Sequence, residues 1–461
     1  MTTMAALDTE RLDALAATFS GALLRPEDAG YDDARSVHNG LIDKRPALIA
    51  RCHGTADVVD AIAFARETGL EISVRGGGHN VAGRAVADDA LMIDLAEMKG
   101  IHVDPAALTI RAQAGVTWAE FNREAALHGL ATTGGTVSTT GIAGLTLGGG
   151  VGWLSGVHGL AVDNLLAVEL VTASGEVLSV TADSSPDLFW ALRGGGGNFG
   201  VATSFEYRLF PLREVVGGVI AYPFDAARDV LRFYRGIAEA APDELVVVCG
   251  LLHAPDGSGT KLIAFAICHA GSPEQAEHDL APVRAFGEPV MSEVGPMPYP
   301  VVNTLFDAAY PRAALNYWKS SFLKTLDDDL IDATVDAYSS TPSTMTLIAF
   351  EHFHGAVTRV GVTDTPVPHR DEGFNVLITS VWTDPNATEE NIAWTRSAFE
   401  SMSPSFIDRR WLNYFSDDDR GDAVRAAYGP NYDRLARIKR EYDPNNIFHL
   451  NQNIEPAGAP G

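Results

Sequence analysis

The chain has 461 residues, 46% apolar and 20% charged, which suits a globular enzyme with two or three sizeable interiors. Sixty acidic residues against 34 basic ones give a formal net charge of −26, so neither nucleic acid nor an anionic membrane is an expected partner, since both require clustered positive charge. Cys52, Cys249 and Cys268 are far apart and lack any CxxC or Cys/His spacing, so free buried thiols are expected and a metal site is not. The acidic N-terminal stretch lacks a secretory pattern and no apolar run reaches the roughly twenty residues of a membrane span, so a cytoplasmic location is expected.

In chain order, the apolar run from Pro46 to Ala50 predicts a short buried strand. Thr55 is placed to cap a helix through about Thr68, with Gly69 ending it. A second strand over Glu71 to Val74 runs straight into Arg75-Gly76-Gly77-Gly78-His79-Asn80. Thr117 and Glu120 have the spacing of a capping box, so a helix is expected to about His128. Ala167 to Thr172 and Val177 to Thr181 read as a hairpin. Beyond Phe210-Pro211-Leu212 glycine density falls, and alternating segments such as Leu245 to Leu252 and Leu262 to Cys268 interleave with helical stretches such as Pro273 to Phe286. That pattern predicts an antiparallel sheet with helices on one face. An amphipathic stretch from Asn431 to Glu441 leads into Tyr442-Asp443-Pro444-Asn445-Asn446-Ile447-Phe448.

Glycine clusters at 76 to 78, 148 to 152 and 194 to 200 require a cause, because glycine loses the most backbone entropy on folding. Exposed backbone N–H groups that cradle a dinucleotide diphosphate are one cause, and tight turns without a ligand are another. Gly195, Gly197 and Gly200 match the letters of a GxGxxG fingerprint. The fingerprint must open a helix, whereas Val201 to Tyr207 reads as a strand, which argues against a Rossmann site.

The segment Arg75 to Asn80, together with Gly144 to Gly152, Arg193 to Gly200, Pro366-Val367-Pro368-His369-Arg370, Trp411-Leu412-Asn413-Tyr414 and Tyr442 to Phe448, resembles the berberine-bridge-enzyme-like FAD-linked oxidases of the vanillyl-alcohol-oxidase superfamily. Within that group the chain is most similar to bacterial members of the 6-hydroxy-D-nicotine oxidase and EncM type. The resemblance implies an α+β fold: a PCMH-type FAD-binding domain in two subdomains (1–212), a substrate domain with a helix-covered antiparallel sheet (213–429), and a return to the flavin domain (430–461). It implies that His79 carries the flavin covalently. Arg75, Gly76, Gly77, Gly78, Asn80, Gly83, Thr140, Gly141, Leu145, Gly148, Gly149, Gly150, Gly152, Trp153, Asn164, Gly200, Val201, Asn451 and Asn453 are implied to surround that FAD. Many plant relatives carry a second, cysteinyl tether in a Gly-x-Cys-x-x-x-Gly stretch. Val137 stands at that cysteine in Gly135 to Gly141, so no second link can form.

Flavin oxidation needs a substrate C–H aligned with the ring and often a base for an adjacent O–H or N–H. The resemblance offers Tyr414 as the base, whose pKa of about 10 would have to be lowered by nearby positive charge or donors; a core aromatic with a satisfied hydroxyl is the other reading. Glu351 lies on an apolar strand beside Ala349 and Phe353, where a carboxylate is costly unless paired or used. Asn375 matches a neighbouring site position and, as an amide, is suited to orient substrate. His352 and His354 are expected on the opposite face, and His369 and Arg370 at a junction. Thr140, at the position that gates dioxygen in the family, is small. The expectation is hydride transfer from a small alcohol, phenolic or amine substrate to FAD and then to dioxygen, giving hydrogen peroxide, by a monomer or homodimer. A carbohydrate oxidase with stacking Trp318 and Trp382, a flavin dehydrogenase, an oxygenating flavoenzyme and a flavin carrier without turnover are the alternatives.

Overall fold

The apolar run after Pro46 forms a strand whose partners lie far along the chain. In this computed structural model, which describes residues 9–419 and 421–458, β1 (Ala22–Leu24), β2 (Leu48–Arg51), β3 (Ile72–Arg75) and β4 (Leu91–Asp94) make a sheet in the order β1-β2-β4-β3. β4 is parallel to β2 and β3, and the helix Thr55–Thr68 carries the chain between those two. The helix begins differently from the expectation. Gly54, not Thr55, is the N-cap, and the Asp57 carboxylate accepts from the N–H groups of His53 (2.8 Å) and Gly54 (3.3 Å). Thr55 is released from capping and donates to Glu169 across the domain at 2.7 Å. Gly69 closes the helix at φ +74, a left-handed conformation that favours glycine.

A second sheet, order β5-β6-β10-β8-β9, is antiparallel throughout. It uses β5 (Ile101–Asp104), β6 (Thr109–Gln113), β8 (Leu165–Val171), β9 (Val177–Thr181) and β10 (Val201–Arg208), while the short β7 (Leu130–Ala131) pairs with β11 (Phe210–Pro211). The Thr117 capping box forms, and its helix ends at Ala126, two residues before the expected stop. Gly200 leads directly into β10 and no helix follows, so the GxGxxG letters do not form a Rossmann turn.

The third sheet has seven antiparallel strands: β12 (Glu214–Pro223), β13 (Leu245–His253), β14 (Lys261–His269), β15 (Met291–Pro298), β16 (Leu315–Leu323), β17 (Leu347–Phe353) and β18 (Gly373–Trp382), in the order β15-β12-β14-β13-β17-β18-β16. Alternation sorts its two faces. Cys249, Ile348, Phe350 and Val376 pack under the helices Ala227–Glu239, Pro273–Ala285, Asp328–Ser339 and Thr388–Met402. Val248, Ala349 and Leu377 face the other way, against Val81, Val137 and Trp153 of the first half.

The core beneath the first two sheets also recruits residues from the far end of the chain, among them Leu435, Ile438, Phe448 and Ile454. A buried ion pair organises that return segment. The Lys439 ammonium donates to Asp443 at 2.6 Å and to the carbonyls of Asn198 and Phe448, and the Asp443 carboxylate accepts from the N–H groups of Ile447 and Phe448. Arg370 makes a two-pronged pair with Asp163 of the first half at 2.7 and 2.8 Å, while His369 packs against Phe322 and Trp411. Cys52, Cys249 and Cys268 are free and buried. Among the described residues no helix is long and apolar enough to cross a membrane.

Candidate active site

The strand β3 delivers Gly76, Gly77, Gly78, His79 and Asn80 to one wall of a cleft of about 1640 Å³, part of it open to solvent. Thr140, Gly141, Leu145 and Gly148 form the facing wall, and Gly200, Val201 and Asn451 also line it. Two reasons for glycine separate here. A Cβ on Gly77 would stand 2.5 Å from the Gly141 nitrogen, so these glycines let two loops cross. A Cβ on Gly144 would meet nothing within 4 Å, and one on Gly197 only the Asn451 amide at 3.7 Å, so there the bare backbone opens onto the cleft. Asn413 stitches the walls together: its amide donates to Leu145 O at 3.1 Å, its carbonyl oxygen accepts from Gly150, and its backbone oxygen accepts from Asn80.

Several expected cleft residues point elsewhere. Arg75 is turned to Asp94 (Nε to Oδ1 2.9 Å) and the Ser36 carbonyl. Gly83, at φ +63, packs on Ile42. Gly149 lies against Trp411, Gly150 against Ala161 and Leu145, and Gly152 against Gly134, so these three glycines make protein contacts and only Val151 of the loop 149–152 lines the cleft. Trp153 stacks on Phe306 at 5.4 Å, and the Asn164 amide donates to the carbonyls of His158 and Leu160. Asn453 is also absent from the cleft wall. Trp318, Thr136, Val137, Arg84 and Gln452 are on it, and of these only Val137 and Trp318 carried a signal in the sequence. Trp382 is buried with its indole donating to Thr388, away from the cleft, so a pair of stacking tryptophans does not form.

Tyr414 and Trp318 stand together on the cleft wall, rings 6.3 Å apart. The Tyr414 hydroxyl donates to Glu351 Oε1 at 2.8 Å, and the Asn375 amide donates to Oε2 at 3.0 Å. The second bond follows from register, since Glu351 pairs with Asn375 across β17 and β18. Glu351 also borders a smaller cavity with Val246, Val248 and His354 that shares Thr136 and Val151 with the cleft. Burial raises the Glu351 carboxyl above its ordinary range, while its bonds from Tyr414 and Asn375 oppose that shift. Burial raises Tyr414 well above the phenolic value, and the neighbouring Glu351 adds to the rise. The shift runs opposite to the lowering a tyrosinate needs, because a carboxylate faces the hydroxyl. In the bond between the two, Tyr414 is the donor and Glu351 the acceptor. His352 is turned toward Phe374, as alternation predicts, whereas His354, just past the end of β17, borders the same cavity as Glu351 and reaches Gly156, against the expectation.

Family models match residues 46–181 as an FAD binding domain and residues 411–455 as "berberine and berberine like". The chain is 31% identical to (R)-6-hydroxynicotine oxidase of Paenarthrobacter nicotinovorans, over 96% of this chain and 98% of that one. It is 32% identical to an FAD-linked oxidoreductase of Dictyostelium discoideum, over 89% of each. The crystal structure of 6-hydroxy-D-nicotine oxidase from Arthrobacter nicotinovorans superimposes with a TM-score of 0.87, covering 95% of this chain and 98% of that one at 31% identity. A BBE-like protein of Physcomitrella patens shares the fold, with a TM-score of 0.87, 21% identity, and 97% and 100% coverage. The cleft fits the cofactor these matches imply, for it offers bare backbone at Gly144 and Gly197 and two buried polar atoms on its walls, His79 Nε2 and Asn451 Oδ1, that no described residue satisfies. With its PCMH-type FAD-binding fold, this chain belongs to the berberine-bridge-enzyme-like family of FAD-linked oxidoreductases.

Proposed function

We propose that the protein is an oxidase that holds FAD covalently through His79 alone and oxidises a small alcohol, phenolic or amine substrate at the expense of dioxygen, releasing hydrogen peroxide. The observation that carries this reading is the buried Glu351–Tyr414–Asn375 group beside the cleft. Bound FAD supplies the two-electron acceptor. Glu351 takes the proton from a substrate O–H or N–H, Tyr414 and Asn375 aim its two oxygens, and Trp318 offers a flat apolar wall. A carboxylate in such surroundings favours a neutral or cationic donor and repels carboxylate or phosphate substrates. In this reading residues 213–429 supply the substrate side of the cleft and residues 1–212 with 430–461 the flavin side.

A screen of alcohols, phenols and cyclic amines for peroxide release tests the proposal; a protein whose flavin none of them bleaches anaerobically would be a carrier instead. For the tether, acid-precipitated wild-type protein is expected to keep its yellow colour in the pellet, and His79→Ala to release all of it. Release from the wild type would sink the single-histidine link. Val137 lines the cleft and has no sulfur, so no second link is expected to hold flavin in His79→Ala.

Thr140, also on the cleft wall, bears on the electron acceptor. Thr140→Leu adds bulk where dioxygen would approach, so reoxidation is expected to slow on the order of tenfold, a barrier change of about 1.4 kcal/mol, with anaerobic reduction by substrate unchanged. Stopped-flow measurement of both half-reactions checks this. Equal reoxidation rates in variant and wild type would remove Thr140 as the gate.

A further inference from the structure

The imidazole of His79 has a partner that no motif announces. The His38 ring stacks on it with centroids 4.0 Å apart and 21° between the planes. His38 is rigidly held. Its N–H donates to Gly78 O at 2.9 Å, and its carbonyl accepts from Ala313 at 3.0 Å. Its neighbour Asn39 donates to Val81 O (2.8 Å) and Asn316 O (2.9 Å) and accepts from the N–H groups of Leu41 and Asn316. The residues 38 to 40 therefore strap the glycine turn to the start of β16 and lay one imidazole flat against the other. His38 is buried and His79 half-buried, and the Nε2 atom of each is buried with no hydrogen-bond partner among the described residues. Burial and mutual repulsion lower His79 to about 3, and burial beside Arg312 lowers His38 to about 4, so both are neutral and nucleophilic at ordinary pH.

Reactive imidazoles are commonly aimed by a hydrogen bond to the second ring nitrogen. Here Nε2 is left free to react, and the stacked His38 ring fixes the plane of the imidazole. We propose that His38 is a positioning residue for covalent flavin attachment: its flat, strapped ring holds the His79 imidazole at the angle from which a ring nitrogen reaches the flavin 8α carbon. The inference rests on the histidyl tether proposed above. Attachment forms one N–C bond; the imidazole N–H and the 8α C–H each lose a proton, and the two electrons pass through the flavin to dioxygen, which becomes hydrogen peroxide. A stack does not take part in that exchange. It restricts the ring to the reactive orientation, an entropic contribution to the rate.

The test compares His38→Leu, which fills the space without a flat ring, with His38→Phe, which keeps the flat ring without nitrogens. Protein from riboflavin-starved cells is mixed with FAD, and the rate at which flavin becomes acid-stable is followed alongside non-covalent FAD affinity and melting temperature. His38→Leu is expected to slow attachment about tenfold or more, His38→Phe to stay near the wild-type rate, and all to bind FAD alike. A Leu variant as fast as wild type, or a Phe variant as slow as Leu, overturns the proposal. Should His38→Leu fail to fold, His38→Met makes the same comparison. Wild-type protein that never acquires acid-stable flavin overturns the tether and this inference together, whereas normal attachment in every variant overturns the inference alone.

Discussion

Glu351→Gln is expected to lower kcat/KM by about 10²- to 10⁴-fold, the usual loss when a positioned proton acceptor is removed. The variant keeps the shape of the site. The introduced amide still accepts from Tyr414 through its oxygen, and Asn375, whose own carbonyl oxygen is buried without a partner, can turn to accept from the new NH₂. Flavin content and fold are therefore expected to survive, which assigns the loss to chemistry. The wild-type pH profile carries a second signature. Glu351 must be charged to accept a proton and burial raises its pKa, so kcat/KM falls as pH falls, starting above the ordinary carboxyl range of about 4.3. In Glu351→Gln that limb disappears. Stability moves oppositely: a carboxyl raised in the folded state contributes most below its unfolded pKa, and the contribution is lost as pH rises through the folded value. The variant is thus expected to melt above the wild type at neutral pH and level with it in acid. Wild-type kcat/KM in Glu351→Gln would transfer the base role elsewhere.

Asp443→Asn is expected to cost about 3–5 kcal/mol of stability, because it leaves the fully buried Lys439 ammonium without its counter-charge. Both Asp443 oxygens are already occupied, one by Ile447 N–H at 2.9 Å and the other by Phe448 N–H and Lys439, so an amide NH₂ must face a donor. Burial pulls the Lys439 ammonium below its usual pKa and Asp443 alone opposes that with charge, so losing the carboxylate favours a neutral lysine. The turn it braces precedes Asn451 and Gln452 on the cleft wall, so flavin retention falls too. Urea unfolding of the holoprotein measures the loss; a change under about 1 kcal/mol would mean the pair is replaceable.

Much of this architecture was legible because it is local. The Thr117 capping box, the 167–181 hairpin and the rejection of a Rossmann turn at Gly200 each depend on residues a few positions apart. The placement of Glu351 beside apolar neighbours was legible by alternation, but its bond from Asn375 depends on a strand register that no local signal carries. Glycine misled in a specific way. The same residue type serves a loop crossing at Gly77 and Gly141, a close protein contact at Gly149 to Gly152, and an open floor at Gly144 and Gly197. Only the neighbours distinguish them. His38 was invisible because its partner lies 41 positions along and ring stacking has no spacing rule. The surroundings of Tyr414 were hidden differently: its charge environment comes from Glu351, 63 residues earlier, which raises its pKa instead of lowering it.

The return of the chain to its first core sets a timetable for synthesis. β10 ends at Arg208, but Phe448, Asn451 and Gln452, which finish the cleft, come after all seven strands of the third sheet. At ribosomal rates those intervening residues take roughly 12–48 seconds to make. Throughout that interval the nascent chain carries the His79 wall without its closing one, so the cleft is not complete until residues 448–452 have been made.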